Sequence, residues 1–172
     1  MGKLFYGTQT GTTDYIAEKI QAAISDLIDE SKCIMSVKPD EFTEPEFLVL
    51  GGSTWGDGEL TDDWADFFPQ LDNIDFTGKV VALFALGDQV GYGYNFVSSM
   101  KTLYDKVKER GAKVIADKIS LDHFEYDHSE AVVDDHLIGL AVDEVNQPEL
   151  TDDRIEQWVS IVRSELAASV AV

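Results

Sequence analysis

Three short apolar runs in the sequence each end in a loop rich in glycine. The runs are 4–6, 47–50 and 80–86, and the loops that follow them are 7–13, 51–60 and 87–94. The second and third runs lack the alternation of apolar and polar residues that a half-exposed strand shows, which is typical of parallel strands covered on both faces. A helical pattern of apolar residues follows each loop. This alternation of strands and helices predicts an α/β fold with a doubly wound parallel sheet.

The remaining segments complete the predicted sheet. Residues 33–37 predict a second strand, and residues 113–116 predict the start of a fifth strand, which an insertion interrupts before 137–142 resume it. We therefore predict a single domain over residues 1–172, with five parallel strands in the order 2-1-3-4-5 and an insertion in strand five.

Three of the predicted helices have recognisable limits. Apolar residues from Ile16 to Ile28 recur at helical spacing and predict a first helix of about five turns. Another helix is predicted to begin near Asn95 and to end at Gly111, and the last to begin at Thr151.

The first loop has the composition of an anion site. Residues 7–13 read Gly-Thr-Gln-Thr-Gly-Thr-Thr at the point where a strand turns into a helix. Backbone N–H groups, threonine hydroxyls and the positive end of a helix dipole suit a phosphate group. The loop lacks the Gly-Lys pair of the nucleotide-binding P-loop, so it predicts a phosphate site without a neutralising cation.

The three glycine-rich loops are expected to meet. Ligands of open α/β sheets bind beyond the carboxyl ends of the strands, where the strand order reverses. In the order 2-1-3-4-5, strands one, three and four are neighbours, so the phosphate loop would lie beside Trp55 and Tyr92. Two aromatic rings next to a phosphate site can hold a planar ring on a phosphate-bearing chain.

Composition excludes several classes of partner. The net charge of −20 repels nucleic acids and anionic membranes and favours partners with basic patches. The single cysteine, Cys33, cannot form a disulfide within the chain. Without an apparent leader or an apolar run long enough for a membrane span, we expect an unanchored cytoplasmic protein.

The sequence offers no recognisable catalytic or metal site. His123, His128 and His136 stand at spacings that match no common zinc site, so we predict no metal. No serine or cysteine nucleophile is accompanied by an apparent base, and no pair of carboxylates has a recognisable catalytic spacing.

Four stretches together resemble the long-chain flavodoxins over essentially the whole chain. They are Gly7 to Thr13, Ser53 to Leu60, Gly87 to Tyr92 with Asn95-Phe96, and Gly139 to Glu144 with Asn146-Gln147. Ser53 stands where long-chain members often have proline, and Gly56-Asp57 resembles the short-chain members.

The resemblance implies noncovalently bound FMN. Its phosphate would be surrounded by Thr8, Gln9, Thr10, Gly11, Thr12 and Thr13. Thr54 would lie at the ribityl chain, Trp55 on the inner flavin face and Tyr92 on the outer face. The edge of the flavin ring would contact Gly56, Asp57, Leu86, Gly87 and Asp88, with Asn95 close by.

The function implied by the resemblance is that of a low-potential one-electron carrier, not an enzyme. A carbonyl flip at Gly56 would stabilise the neutral semiquinone, because glycine makes such a flip cheap. Asp57, Asp88, the phosphate and the net charge would oppose a second electron. A monomer is expected, with redox partners that carry basic docking surfaces, such as ferredoxin/flavodoxin–NADP reductase or photosystem I.

Two other functions use related folds. An FMN-dependent NAD(P)H:quinone oxidoreductase is an enzyme alternative that steady-state NADH oxidation would reveal. A receiver-type signalling domain is a remote alternative, because it needs an acidic pair after strand one and an aspartate after strand three. Gly7-Thr8 and Gly51-Gly52 occupy those places.

Overall fold

The computed structural model describes residues 1–8, 11–55 and 57–170. Its strands are β1 (Gly2–Gly7), β2 (Ile28–Cys33), β3 (Phe47–Ser53), β4 (Val80–Leu86), β5 (Lys113–Val114), β6 (Val132–Val133), β7 (His136–Leu137) and β8 (Leu140–Val142). Its α-helices are α1 (Thr12–Ala23), α2 (Asp62–Phe67), α3 (Ser99–Glu109) and α4 (Thr151–Val170). Among the described residues, no helix combines the length and the apolar character that crossing a membrane requires.

The main sheet is parallel and has the predicted strand order. Its order is β2-β1-β3-β4-β5, and β8 pairs with β4 on the same side as β5. The fold prediction is therefore confirmed, including the divided fifth strand. β5 pairs with Val80 and Val81 at the start of β4, whereas β8 pairs with 84–86 at its end.

The insertion between β5 and β8 folds against the sheet. It contains the antiparallel pair of β6 and β7, and its two ends are joined through Ile119 and Leu137. Each of these residues donates its backbone N–H to the carbonyl of the other, at 2.8 and 2.9 Å. The insertion therefore begins and ends at nearly one point, which leaves the register of the fifth strand intact.

The core explains why the middle strands are apolar throughout. Leu48 and Leu50 of β3 belong to the core layer that contains Trp64, while Phe47 and Val49 belong to the layer on the opposite face. Successive strand side chains point to opposite faces, so a strand covered on both sides needs apolar residues at every position. β4 divides its side chains between the two layers in the same way.

Four boundary predictions were wrong. The fifth strand resumes at Leu140 and not at 137, because His136–Leu137 pair antiparallel with Val132–Val133. The first helix ends at Ala23, and the second strand begins at Ile28, five residues before the predicted start. This strand lies at the edge of the sheet, where the polar sequence Asp-Glu-Ser-Lys at 29–32 is tolerated. The third helix begins at Ser99, because Val97 has a φ of +48° that interrupts the turn before it. Its end is as predicted, with Gly111 at a φ of +102°.

Gly51, in the middle of β3, provides a test of the sheet packing. A Cβ atom at this position would lie 2.3 Å from the Phe84 ring and 2.4 Å from the Phe84 carbonyl oxygen. Because backbone atoms cannot move away cheaply, we expect Gly51→Ala to reduce the free energy of unfolding by about 1–3 kcal/mol in urea denaturation.

Gly93→Ala is the matched control for this substitution. The nearest atom to its Cβ would be the Asp127 carboxylate oxygen at 3.3 Å, at the end of a side chain that can turn away. Equal stability of the two variants would contradict the packing described for β3 and β4.

Candidate functional site

The loops that follow β1, β3 and β4 meet at one end of the sheet. Thr54 donates its backbone N–H to the carbonyl of Leu86 at 3.0 Å, and Gly87 donates to Val142 at 3.0 Å. These bonds continue the parallel ladders beyond the strands and hold the loop after β3 beside the loop after β4. The side chains of Thr54 and Ser99 add a hydrogen bond of 2.6 Å between their hydroxyl oxygens.

A crevice of about 170 Å³ opens between these loops. Seven of the predicted site residues line it: Thr12, Thr54, Trp55, Leu86, Gly87, Asp88 and Tyr92. Ser53, Glu144 and Val145 complete its walls. In the sequence Glu144 stands out only as the end of the Gly139-to-Glu144 stretch, and no local pattern indicates that the chain returns to the site there.

The loop after β3 presents Trp55 to the crevice. Trp55 and Glu59 exchange two backbone hydrogen bonds, of 3.0 and 2.7 Å, so the loop closes into a tight turn. Gly58 has a φ of +90° in this turn, and a Cβ atom there would lie 2.9 Å from Ser98. The Trp55 indole Nε1 is buried and has no acceptor among the described residues. The Trp55 side chain as a whole is half-buried and lines the crevice.

The loop after β4 is held in shape by Asp88. One oxygen of its carboxylate accepts hydrogen bonds from the backbone of Val90 at 3.0 Å and of Gly91 at 2.7 Å, and from Asn146 Nδ2 at 2.8 Å. Tyr92 follows with its backbone N–H donated to the Asp88 carbonyl, and its side chain is 51% exposed. The Tyr92 ring therefore stands at the mouth of the crevice.

Asp143 connects this loop to the end of β8. Its carboxylate is fully buried and accepts hydrogen bonds from the backbone and the side chain of both Gln89 and Asn146, at 2.8–3.0 Å, and from Val145 N at 3.1 Å. Burial alone would raise the pKa of Asp143, but these hydrogen bonds outweigh it and the pKa is lowered.

The phosphate loop is anchored by a second acidic group, Asp63. Its carboxylate accepts hydrogen bonds from Thr8 N at 3.0 Å, from Trp64 N at 2.8 Å and from the Thr61 hydroxyl. Cys33 Sγ lies 3.5 Å from the same carboxylate, and burial is the main reason that the pKa of this thiol is raised. A Cβ atom on Gly7 would collide with Thr61, Trp64 and Asp63, so only glycine fits beneath the loop.

The described part of the phosphate loop leads directly into α1. Thr8 Oγ1 accepts a hydrogen bond from Gly11 N at 2.9 Å, and Gly11 has a φ of +87° before the helix starts at Thr12. Thr13 is completely buried, with its hydroxyl 2.8 Å from the Ser53 hydroxyl. The Thr13 side chain thus joins the loop to β3.

The other predicted site residues are distributed as follows. Gln9, Thr10 and Gly56 lie outside the described residues. Those that are described but do not line the crevice are Thr8, Gly11, Thr13, Asp57 and Asn95. Asp57 is exposed at the tip of the Trp55 loop, and Asn95 lies near Gly58.

The crevice suits a planar aromatic ligand that carries a phosphate. Trp55 and Tyr92 line it with aromatic rings, and Leu86 and Val145 add apolar side chains. At the Thr12 end the crevice reaches the start of α1, whose helix dipole favours an anion. A flavin phosphate fits this combination of groups.

The lowered pKa of Asp143 predicts a pH-dependent stability. Because its folded-state pKa lies below the ordinary value of 3.8, the carboxylate stabilises the fold above that value. We expect wild type to exceed Asp143→Asn in free energy of unfolding above about pH 5, and this advantage to shrink as the pH falls below 3.8. Urea denaturation of both proteins at several pH values measures this difference in free energy of unfolding. Asp66→Asn, at an exposed position, should show no such trend, and a pH-independent difference at Asp143 would contradict the account.

Comparison with known proteins agrees with this geometry. The family model for flavodoxin matches residues 4–158. Flavodoxin from Synechocystis sp. is 44% identical over 161 residues, which cover 93% of this chain and 94% of that protein. Flavodoxin 1 from Azotobacter vinelandii is 38% identical over 170 residues, covering 94% and 95% of the two chains.

A solved structure gives the same answer. The crystal structure of Fusobacterium nucleatum flavodoxin bound to flavin mononucleotide superposes with a TM-score of 0.88 at 33% identity, covering 95% of this chain and 97% of that one. The family match and this likeness in structure extend over nearly the whole chain, and the chain belongs to the flavodoxin family.

Proposed function

We propose that this protein is a one-electron carrier of low potential that binds FMN noncovalently in the crevice. The observation that carries the proposal is the position of Trp55 and Tyr92 on one crevice, which extends to the start of α1. FMN, when bound, accepts and donates electrons one at a time, and the residues of this chain determine how readily it does so.

The residues proposed to hold FMN divide by chemistry. The phosphate would be bound by the backbone and hydroxyl groups of Thr8, Gln9, Thr10, Gly11, Thr12 and Thr13. Thr54 would bind the ribityl chain. Trp55 and Tyr92 would cover the two flavin faces, and the ring edge would be contacted by Gly56, Asp57, Leu86, Gly87, Asp88 and Asn95. Ser53, Glu144 and Val145 join this set because they line the crevice.

The charges of the chain would make full reduction of the flavin difficult. The phosphate loop contains no lysine or arginine, and among the described residues the charged groups that line the crevice are the acidic Asp88 and Glu144. Two unit charges about 8 Å apart repel by roughly 2 kcal/mol at an effective dielectric constant of about 20. Several such charges, added to a net charge of −20, would oppose a second negative charge on the flavin.

The carrier role is favoured over the enzyme alternative. An oxidoreductase needs a second binding site beside the flavin for its nicotinamide substrate, and Tyr92 stands at the mouth where such a substrate would enter. Electrons would instead cross the flavin edge to larger proteins. Basic surfaces on a partner would be attracted by the acidic chain, as expected for ferredoxin/flavodoxin–NADP reductase or photosystem I. A cytoplasmic, monomeric carrier is part of the same proposal.

The proposed flavin site predicts a loss of FMN affinity when either aromatic ring is removed. Stacking of a ring on an aromatic side chain contributes about 1–3 kcal/mol, so Trp55→Ala and Tyr92→Ala should each weaken FMN binding roughly tenfold or more. Titration of apoprotein with FMN, followed by flavin fluorescence, measures the dissociation constant.

Tyr94→Ala is the matched control for the aromatic substitutions. Tyr94 lies in the same loop and is 70% exposed, but its ring packs beside His128 rather than in the crevice. Its removal should leave FMN affinity unchanged. If Tyr94→Ala weakened binding as much as Tyr92→Ala, or if the wild-type apoprotein ignored FMN, the proposal would fail.

The electrostatic account predicts a change of potential on neutralising Asp57. This carboxylate is exposed on the Trp55 loop, so solvent screens it and its effect is modest. We expect Asp57→Asn to raise the potential of the second one-electron reduction by an amount on the order of tens of millivolts. Spectroscopic redox titration measures this, with Asp40→Asn as control because Asp40 lies near Met1 and Lys3, at the opposite end of β1. A fall, or an equal rise in both variants, would count against the account.

A further inference from the structure

The end of β3 and the start of α3 are joined by one pair of hydroxyl groups. The hydroxyl oxygens of Thr54 and Ser99 lie 2.6 Å apart, and the backbone N–H of Ser99 is donated to Thr54 Oγ1 at 3.3 Å. Ser99 is the first residue of α3, and the N-cap residue Ser98 makes no capping hydrogen bond with its side chain. The Thr54 oxygen therefore caps this helix from outside, because it accepts an N–H group of the first turn.

Burial indicates which of the two hydroxyls is the donor. Ser99 is 3% exposed, and the only partner that its hydroxyl has among the described residues is Thr54 Oγ1. A buried O–H group without an acceptor costs free energy, so the Ser99 proton is donated to Thr54. Thr54 is half-buried and lines the crevice. It is thus the member of the pair whose own proton does not have to be accepted inside the protein.

These bonds leave the Thr54 hydroxyl with one unused function. A hydroxyl group has one proton to donate and two lone pairs that accept. Ser99 occupies both lone pairs of Thr54 Oγ1, one with its backbone N–H and one with its hydroxyl. The Thr54 proton remains. Towards a ligand in the crevice, Thr54 therefore acts as a donor, and its partner on the ligand must be an acceptor atom.

We infer that Ser99 is a positioning residue that makes Thr54 a hydrogen-bond donor to the chain linking the flavin ring to the phosphate. Ser99 is not among the described residues that line the crevice, so it acts through Thr54. The inference rests on the proposed function, which assigns Thr54 to the ribityl chain of FMN. A ribityl hydroxyl oxygen can accept the Thr54 proton, whereas an alkyl chain offers no acceptor. The site therefore selects a polyhydroxy linker over an alkyl linker.

An FMN analogue without the ribityl hydroxyls tests this inference. In the analogue a pentyl chain carries the phosphate, so the flavin ring and the phosphate are unchanged. Apoprotein is titrated with FMN and with the analogue, and flavin fluorescence gives the two dissociation constants. We expect Ser99→Ala to weaken FMN binding about three- to tenfold, because the Thr54 hydroxyl is no longer held, and to leave the affinity for the analogue unchanged. A merely structural role of Ser99 would lower both affinities equally.

Thr54→Val connects the effect to the hydroxyl pair. This substitution removes the hydroxyl and nearly keeps the shape of the side chain, so it should weaken FMN binding at least as much as Ser99→Ala does. In the Thr54→Val background, Ser99→Ala should cause no further loss, because the two hydroxyls act as one unit. Fully additive losses in the double variant would contradict the inference.

Ser98→Ala is the matched control. Ser98 is as deeply buried as Ser99, but its hydroxyl accepts the backbone N–H of Glu130 at 3.0 Å rather than pairing with Thr54. This variant should bind FMN and the analogue like wild type. The inference is overturned if wild type binds both flavins equally well, if Ser99→Ala binds FMN like wild type, or if Ser98→Ala matches Ser99→Ala. A wild-type apoprotein that ignored both flavins would refute the proposed function, and this inference with it.

Discussion

The register between β1, β3 and β4 determines where the site lies. Gly7 pairs with Gly52, and Ser53 pairs with Leu86, so the three strands end at nearly the same level. Parallel strands in register have their carboxyl ends at the same edge of the sheet, so the three loops that follow them must share the space beyond that edge. The crevice follows from this alignment, because Thr12, Trp55 and Tyr92 approach one another only when the strand ends are level.

Glycines permit this alignment at the points where layers come closest. Gly51 passes directly over the Phe84 ring, and Gly7 passes over the side chains of Asp63 and Trp64. A larger residue at either place would push β1 or β3 away from its neighbour. The glycine-rich sequence at the strand ends thus serves packing as well as ligand access, which is why glycine alone is weak evidence for a binding site.

The features that sequence reasoning predicted are those with local causes. Continuous apolar runs identified β3 and β4, because burial on both faces leaves a direct mark on composition. The predicted position of the edge strand β2 was wrong by five residues, because polar residues at a sheet edge leave no such mark. Within the site, Trp55, Tyr92 and Asp88 follow glycine-rich strand ends and were found, whereas Ser53 and Val145 were not. Val145 reaches the crevice only because β8 pairs beside β4, a contact between residues more than fifty positions apart.

The hydrogen bonds around Gln89 join the insertion to the loop that carries Tyr92. Gln89 donates to Asp143 and to Gln147, and its side-chain oxygen accepts the backbone N–H of Glu125, which belongs to the insertion. Arg154 contacts the same Gln147 oxygen from α4. Removal of the insertion would leave the buried side-chain oxygen of Gln89 without the N–H donor of Glu125. The insertion therefore cannot be deleted by itself. A chain without it would also need a different residue at position 89.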